Sequence, residues 1–213
     1  RPTTRESLAS NTPPTPGGAE KAYSTGNAAA AQGSAPSGQR TLALRCGIGY
    51  GWVPHADTLV PTGGITLEVC CRLRSSVANH GTLVRKNPEE GRDSYNLRLS
   101  PGSYPQWTIQ DASGIHTVVG GLPVPIGPAV HIAGTYDGTT QRLFVNGSEV
   151  ARRETAGGEL ANFGGALIIG HGNVRSSSEV FDGDIDTVRI WRGARSADQL
   201  SAARTRQFAS APN

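Results

Sequence analysis

The stretch HIAGTYDGTTQRLFVNGSEVAR (131–152) contains the clearest structural pattern of the chain. Apolar and polar residues alternate through much of it, which is typical of strands that bury one face. Two hairpin turn signals, Asp137-Gly138 and Asn146-Gly147, lie on either side of the short strand QRLFV (141–145). Asn146-Gly147 also supplies the positive φ values of a type I′ turn. The stretch therefore predicts two consecutive antiparallel hairpins.

The same period of two extends over most of the chain after residue 41. In ITLEVCCRL (65–73), apolar side chains occupy one face and the other face carries Thr66, Glu68, Cys70 and Arg72. This alternation predicts a half-buried strand. Further strands are predicted at 94–100, 107–110, 115–120, 129–137, 166–170 and 180–191. Because no helix separates them, the sequence predicts an all-β fold, an antiparallel two-sheet sandwich.

Composition excludes several classes of protein. The 213 residues include 28 Gly and 14 Pro, which disfavours a helical bundle. The formal net charge is +3, from 20 basic and 17 acidic residues, which is too balanced to indicate nucleic-acid binding. No apolar run approaches the roughly 18–20 residues of a membrane span. G-x-S-x-G, P-loop and C-x-x-C motifs are lacking, so the sequence does not favour a hydrolase, nucleotide-binding or redox protein.

One helix is predicted, at 196–208. Ser196 is a good N-cap, and Gln199 three residues later completes a capping box. Leu200 and Ala203 would face the sandwich. The residues 209–213 that follow are read as a polar tail.

Residues 1–40 differ in composition from the rest of the chain. They are rich in Ala, Gly, Pro, Ser and Thr, and such a segment buries too little apolar surface to offset its ordering entropy. We expect an extended N-terminal arm that is ordered by packing against other chains of a larger assembly. The domain prediction is therefore an arm at 1–40, a sandwich at 41–208 and a tail at 209–213.

Three stretches together resemble one family. They are WVPHADTLVPTGGITLEVCCRL (52–73), the double hairpin at 131–152, and FDGDIDTVRIWRGARSADQLSAA (181–203). Their order and spacing are similar to those of laminin-G-like domains in the concanavalin A-like lectin/glucanase superfamily. The resemblance implies a jelly-roll sandwich with a short C-terminal helix, and a glycan or another protein as the ligand.

The triplet Asp182, Asp184 and Asp186 is a candidate metal site. On a regular strand the three carboxylates would share one face and repel one another unless a cation or donors lay between them. Ca²⁺ is one candidate, since it prefers oxygen ligands, and superfamily relatives often bind calcium from loops at the sandwich rim. A glycosidase carboxylate pair is a second reading. The preferred reading is structural, with Asp186 capping local backbone groups and the other two carboxylates solvated.

Tyr104 and Trp107 flank a proline in GSYPQW (102–107) and are the candidate ligand-binding residues. Aromatic faces stack on sugar rings, so the pair predicts a glycan platform. A core position is the preferred reading for Trp107, because large aromatics are mostly buried. Tyr104 is the better candidate for an exposed contact.

The expected function is that of a non-enzymatic recognition module. Its arm would tether it to a larger assembly, such as a viral or phage particle, and its rim loops would bind glycan or protein. This favours a particle surface or an extracellular location. A free calcium-dependent carbohydrate-binding or adhesion domain is the alternative, and a glycoside hydrolase is a third hypothesis.

Overall fold

The structure is a computed structural model that describes residues 20–21, 30–34, 40–47, 49–86, 92–172 and 179–204. The predictions for most of the arm, for helical residues 205–208 and for the tail at 209–213 lie outside these residues. Within them, no helix is long and apolar enough to cross a membrane.

The described residues form fourteen strands, one 3-10 turn at Asp57–Leu59 and one helix, α1 (Ala197–Arg204). The strands are β1 (Glu20–Lys21), β2 (Ala30–Ser34), β3 (Arg40–Arg45), β4 (Gly51–Val53), β5 (Ile65–Leu73), β6 (Gly81–Lys86), β7 (Tyr95–Ser100), β8 (Tyr104–Asp111), β9 (Gly114–Val119), β10 (Ala129–Tyr136), β11 (Thr140–Val145), β12 (Ser148–Glu154), β13 (Leu167–Ile169) and β14 (Gly183–Arg192).

These strands make two antiparallel sheets that pack face to face. The larger sheet has eight strands in the order β12-β11-β10-β5-β14-β3-β2, with β1 also pairing with β14. The smaller sheet has six strands in the order β4-β13-β6-β7-β8-β9. Strands that are distant in sequence are neighbours in both sheets. The predicted jelly-roll sandwich with a short C-terminal helix is confirmed.

The core lies between the two sheets and is filled by alternate residues of each strand. On β5 the predicted inward set is buried: Ile65, Leu67, Val69, Cys71 and Leu73. The prediction of a half-buried strand is wrong for the first half of β5, where Thr66 and Glu68 are buried on the opposite face. The chain beyond β14 crosses that face, since Thr66 Oγ1 donates to Gly193 O and accepts from the Arg195 N–H.

The two predicted hairpins are confirmed as β10–β11 and β11–β12. Asn146 and Gly147 have φ values of 51° and 84°, as their type I′ turn requires. In the first turn the Asp137 carboxylate accepts from the backbone N–H of Thr139 at 3.0 Å and of Thr140 at 2.7 Å.

Trp107 fills the middle of the core and is completely buried. Its indole Nε1 donates to Thr135 O at 3.2 Å, across the sandwich on β10. The six-membered part of the ring lies against Gly134, where a Cβ atom would be 2.3 Å from Trp107 Cδ2. Gly134 is therefore required by the indole packed against it, because any larger residue would overlap the ring.

The helix begins as predicted. Ser196 N donates to Gln199 Oε1 at 2.9 Å, and Gln199 N donates to Ser196 Oγ at 3.3 Å, which confirms the capping box. Leu200 is completely buried and packs with Ala133 and Phe144 on the outer face of the larger sheet.

Two parts of the N-terminal segment belong to the sandwich itself. β1 pairs with β14, and β2 forms a hairpin with β3 that becomes one edge of the larger sheet. These backbone groups have partners within their own chain, and the packing of the arm against other chains stays a prediction. The physical reason is that β3 has an open edge whose N–H and C=O groups pair with the strand that precedes it.

Candidate functional site

The outer face of the smaller sheet carries a row of mostly polar side chains in register across all six strands. Strand pairing aligns them in the order Trp52, Ile168, Arg85, Asn96, Thr108 and Thr117. The adjacent inward row contains Val84, Leu97, Trp107 and Val118, which are core residues. At about 4.8 Å between strands the polar row spans roughly 24 Å, the length of a short oligosaccharide.

Arg85 is 9% exposed, and its side chain is less exposed than those of Asp93, Arg98 and Glu179 on the same face. Its Nε donates to Asp93 Oδ1 at 2.7 Å. Its Nη1 donates to Glu179 Oε2 at 3.1 Å and to Gly172 O at 2.9 Å. The guanidinium is therefore held between two carboxylates and a backbone carbonyl.

A second guanidinium, Arg98, lies two residues along β7 from Asn96 and shares the Glu179 carboxylate. Arg98 Nη1 donates to Glu179 Oε1 at 3.3 Å. When the Gln106 amide is oriented with its oxygen toward Arg98, that oxygen accepts from Arg98 Nη2 at 2.9 Å and from Arg98 Nε at 3.2 Å. Glu179 thus bridges two arginines, one on β6 and one on β7.

Glu179 makes this bridge from a strained backbone position. Its φ of 63° lies in the left-handed region, which few non-glycine residues adopt. Its carbonyl accepts from the Thr82 N–H at 3.1 Å, which fixes the residue to β6. Such strain persists only where the surrounding contacts hold it, and it is concentrated at functional sites.

Burial shifts the titration of the groups around this bridge. It lowers the pKa of His80 and of His171, with Glu179 acting in the opposite direction. Burial raises the pKa of Asp93 above 3.8 and the guanidinium of Arg85 opposes that shift. Burial lowers the pKa of Arg98 from 12.5, and Glu179 raises it.

Several oxygen atoms on this face have no hydrogen-bond partner among the described residues. They are Asn96 Oδ1, Thr82 Oγ1 and Gln110 Oε1. Asn96 is 1% exposed, and its amide nitrogen donates to Asp93 Oδ2 at 3.4 Å. Since buried polar atoms normally have partners, these three oxygens are acceptors that the described residues leave without a donor.

Exposed aromatic side chains lie toward two corners of the same face. Trp52 on the edge strand β4 is 40% exposed, and Tyr104 at the start of β8 is 37% exposed. By strand alternation Tyr104 shares its face with Gln106 and Thr108. Tyr104 therefore lies where a ligand on this face can contact it, whereas Trp107 points into the core.

Two of the three aspartates of the candidate metal site have separate partners, and the third lies in a bulge. Asp184 accepts from Arg74 Nη2 and lies 3.9 Å from Arg45 Nε, and Asp182 accepts from Ser75 Oγ. A register shift between Ile185 and Thr187 places Asp186 in a bulge, which breaks the alternation that the shared face assumes. In the described part of the chain no group of three or more His, Cys, Asp or Glu side chains is arranged to hold a metal.

A Ser, His and Asp cluster lies at the end of the β8–β9 hairpin. Ser113 Oγ and Asp111 Oδ1 lie 2.9 Å and 3.0 Å from the same nitrogen, His116 Nε2. A catalytic relay needs the serine and the aspartate on opposite ring nitrogens. Burial alone would raise the pKa of Asp111, but hydrogen bonds from Ser113, His116 and Tyr136 lower it to about 2, so the cluster stabilises a carboxylate.

The sequence does not predict the bridge that Glu179 forms between Arg85 and Arg98. Arg98 and Glu179 are 81 residues apart, so no local spacing connects them. The alternation of β7 does place Asn96 and Arg98 on the face opposite Leu97, which is the one signal that the sequence contains.

A family model described as "Concanavalin A-like lectin/glucanases superfamily", of the laminin G type, matches residues 48–201. This match covers the double hairpin, the smaller sheet and most of the helix. A search of curated proteins found no matching sequence.

Solved structures with similar folds include several domains bound to sugars. Domain 4 of AbnA, a GH43 extracellular arabinanase from Geobacillus stearothermophilus in complex with arabinotriose, has a TM-score of 0.63 at 16% identity, covering 84% of this chain and 86% of that one. The CBM40 of Ruminococcus gnavus IT-sialidase, bound to α2,3-sialyllactose, has a TM-score of 0.60 at 18% identity, covering 70% and 85%.

A structure of botulinum neurotoxin type C, whose cell entry depends on interaction with two ganglioside molecules, has a TM-score of 0.62 at 10% identity. It covers 87% of this chain and 46% of that one. At these identities the likeness is one of fold.

Proposed function

We propose, from the premise that the chain belongs to the concanavalin A-like lectin/glucanases superfamily, that it is a non-catalytic glycan-binding module. The ligand would lie across the outer face of the smaller sheet. The observation that carries the proposal is the row of hydrogen-bonding side chains on this face, with an exposed aromatic ring toward either end. Sugars offer hydroxyl groups for the polar row and C–H faces for the aromatic rings.

The roles of individual residues follow from their positions. Tyr104 would stack on a sugar ring, and Trp52 would contact the far end of a longer ligand. Arg98 and Gln106, which hold each other on the same face, would bind hydroxyl groups between them. Trp107 supports the site from below, because its indole fixes the inner side of β8 against β10.

The proposal draws support from structures of the same fold. The arabinanase domain was solved with arabinotriose and the sialidase domain with sialyllactose. A binding role without catalysis is in keeping with the His116 cluster, whose geometry does not match a relay.

The proposed site uses no metal ion. The carboxylates of Asp182 and Asp184 already accept hydrogen bonds from Ser75 and Arg74, so a calcium ion would have to displace these partners. Binding is therefore expected to persist in EDTA. Loss of glycan binding in EDTA, with recovery on adding Ca²⁺, would instead favour the calcium-dependent alternative.

The test is a glycan array followed by titration calorimetry on the best ligand. Tyr104→Ala and Arg98→Gln should each weaken binding about 10-fold or more, a loss of about 1.4 kcal/mol. Arg152→Gln is the matched control, since Arg152 makes an exposed ion pair with Glu154 on the other sheet. Unchanged affinity in both face variants, or no glycan bound at all, would contradict the proposal.

The N-terminal segment supports a second role, as a tether to a larger assembly such as a viral or phage particle. Among the described strands, β2 is the outermost of the larger sheet, so its outer edge is a place where a strand from another chain would pair. Deleting residues 1–34 should abolish cosedimentation with particles that carry the full chain. Cosedimentation of the truncated chain at the level of the full chain would contradict the tether.

A further inference from the structure

We infer that the glycan recognised on this face is neutral, meaning that it carries no carboxylate, sulfate or phosphate group. The inference rests on the proposed function and specifies its ligand class. It follows from three features of the face: its charge balance, the chemical nature of its unpaired atoms, and the position of Glu179.

The charges of the face cancel among themselves. The two guanidinium groups, Arg85 and Arg98, contact two carboxylates, Asp93 and Glu179, at distances from 2.7 to 3.3 Å. His80 lies 3.9 Å from Glu179. Among these described residues, an acidic sugar would therefore meet no arginine without a carboxylate partner to compensate the loss of its own hydration.

Three of the five N–H groups of each arginine are committed within the chain, and the others remain for ligand hydroxyl groups. Arg85 donates to Asp93, Glu179 and Gly172, as described above, and Arg98 donates to Glu179 and Gln106. The Nε and Nη2 pair of Arg98, with which an arginine can bind a carboxylate, already binds the Gln106 oxygen. A ligand carboxylate would have to displace one of these partners.

The atoms that lack partners on this face are oxygens. Asn96 Oδ1 and Gln110 Oε1 only accept hydrogen bonds, and Thr82 Oγ1 both accepts and donates. A sugar hydroxyl supplies the missing donor, whereas a carboxylate has only lone pairs to bring. These oxygens therefore favour hydroxyl groups at this place and disfavour the carboxylate of an acidic sugar.

Glu179 occupies the place that an acidic ligand would need. Its carboxylate lies between the two guanidinium groups, and its left-handed backbone is held there by the bond from Thr82. The chain thus supplies its own carboxylate at the most favourable position for an anion on this face, which excludes acidic sugars and leaves the adjacent polar row for neutral ones.

The test measures binding to an array of neutral and uronic-acid oligosaccharides of equal length and linkage. The members form matched pairs that differ only at C6, such as galactotriose and trigalacturonic acid. We expect binding to neutral members only, with a dissociation constant that changes less than 2-fold between 50 and 500 mM NaCl. Binding to acidic members alone, weakening with salt, would overturn the inference and leave the proposed function intact. Absence of binding to every glycan would overturn both.

A charge variant tests the role assigned to Glu179. Glu179→Gln keeps a hydrogen-bonding side chain but leaves one guanidinium charge uncompensated, so it should gain at least 5-fold in affinity for acidic members. Glu154→Gln, which removes an exposed carboxylate from β12, is the matched control and should gain nothing. If Glu179→Gln does not fold, Asp93→Asn gives the same charge change beside Arg85. No gain in whichever variant folds would overturn the inference.

Discussion

Replacing Gly134 with alanine would place a methyl group inside the volume of the Trp107 indole. An ideal Cβ at this position lies 2.3 Å from Trp107 Cδ2, 2.6 Å from Cε2 and 2.7 Å from Cε3. Carbon atoms in contact are normally about 3.5–4.0 Å apart, so the ring would have to move by more than about 1 Å.

The cost of that movement follows from the surroundings of the ring. Trp107 is completely buried, and the shift would break the bond from its Nε1 to Thr135 O, which contributes about 1 kcal/mol. Overpacking a core adds about 1–3 kcal/mol. We expect Gly134→Ala to lower the free energy of unfolding by about 2–4 kcal/mol, a large part of the roughly 5–15 kcal/mol typical of a domain.

Urea unfolding followed by far-UV circular dichroism measures this loss. With an m-value of about 2–3 kcal/mol/M, the midpoint should fall by about 1 M. Gly121→Ala is the matched control, because a Cβ there meets no atom within 4 Å, and it should change stability by less than about 0.5 kcal/mol.

A double variant separates the clash from any general effect of alanine on the strand. Combining Gly134→Ala with Trp107→Leu removes the overlapping ring, so the combined loss should be at least 1 kcal/mol smaller than the sum of the two single losses. The reasoning would be refuted if the losses added fully, or if Gly134→Ala alone were as stable as the unaltered protein.

Three further predictions concern single polar groups. Lys86 is completely buried with Nζ 3.0 Å from His55 Nδ1, and burial lowers its pKa to about 8. The unfolded chain keeps this proton to higher pH, so the free energy of unfolding should rise by about 1 kcal/mol between pH 7 and 9. Denaturant titrations at both pH values should show this rise in the unaltered protein and not in Lys86→Met. Asp111, whose pKa is lowered to about 2, stabilises the fold above pH 4; about 2 kcal/mol should be lost as the pH falls from 4 to 2, and an equal acid sensitivity in Asp111→Asn would exclude this group as the cause. Ser196→Ala removes the N-cap of α1 and should cost about 1 kcal/mol in thermal unfolding, whereas no loss would mean that the capping box contributes nothing.

Predictions from the sequence succeeded where both partners lie close together along the chain. The capping box joins residues three apart, and the turn at Asn146-Gly147 depends on two adjacent backbone conformations. These preferences arise from local sterics and local hydrogen bonds, which do not depend on the rest of the fold. The period of two also identified the inward face of β5, because one-sided burial leaves its pattern in the strand itself.

Predictions failed or stopped where distant segments decide the environment of a side chain. Alternation correctly places Glu68 on the polar face of β5, but it does not show that the chain after β14 buries this face, where Glu68 is 1% exposed and lies 3.0 Å from His131 Nε2. The acidic triplet was read on a regular strand, and the bulge at Asp186 opposite β5 breaks that regularity. Neither a covering segment nor a bulge is encoded in the alternation of one strand.

By itself, the sequence determined that this protein is a two-sheet sandwich with a capped C-terminal helix, because hydrophobic period, turn dipeptides and caps act within a few residues. Only the tertiary structure decided which polar residues form the candidate site. Arg85, Arg98 and Glu179 come from β6, β7 and the segment before β14, and the fold brings both guanidinium groups within 3.3 Å of the Glu179 carboxylate. Hydrogen bonds and ion pairs act over a few ångströms in space, and folding brings segments that are far apart in sequence to within that distance.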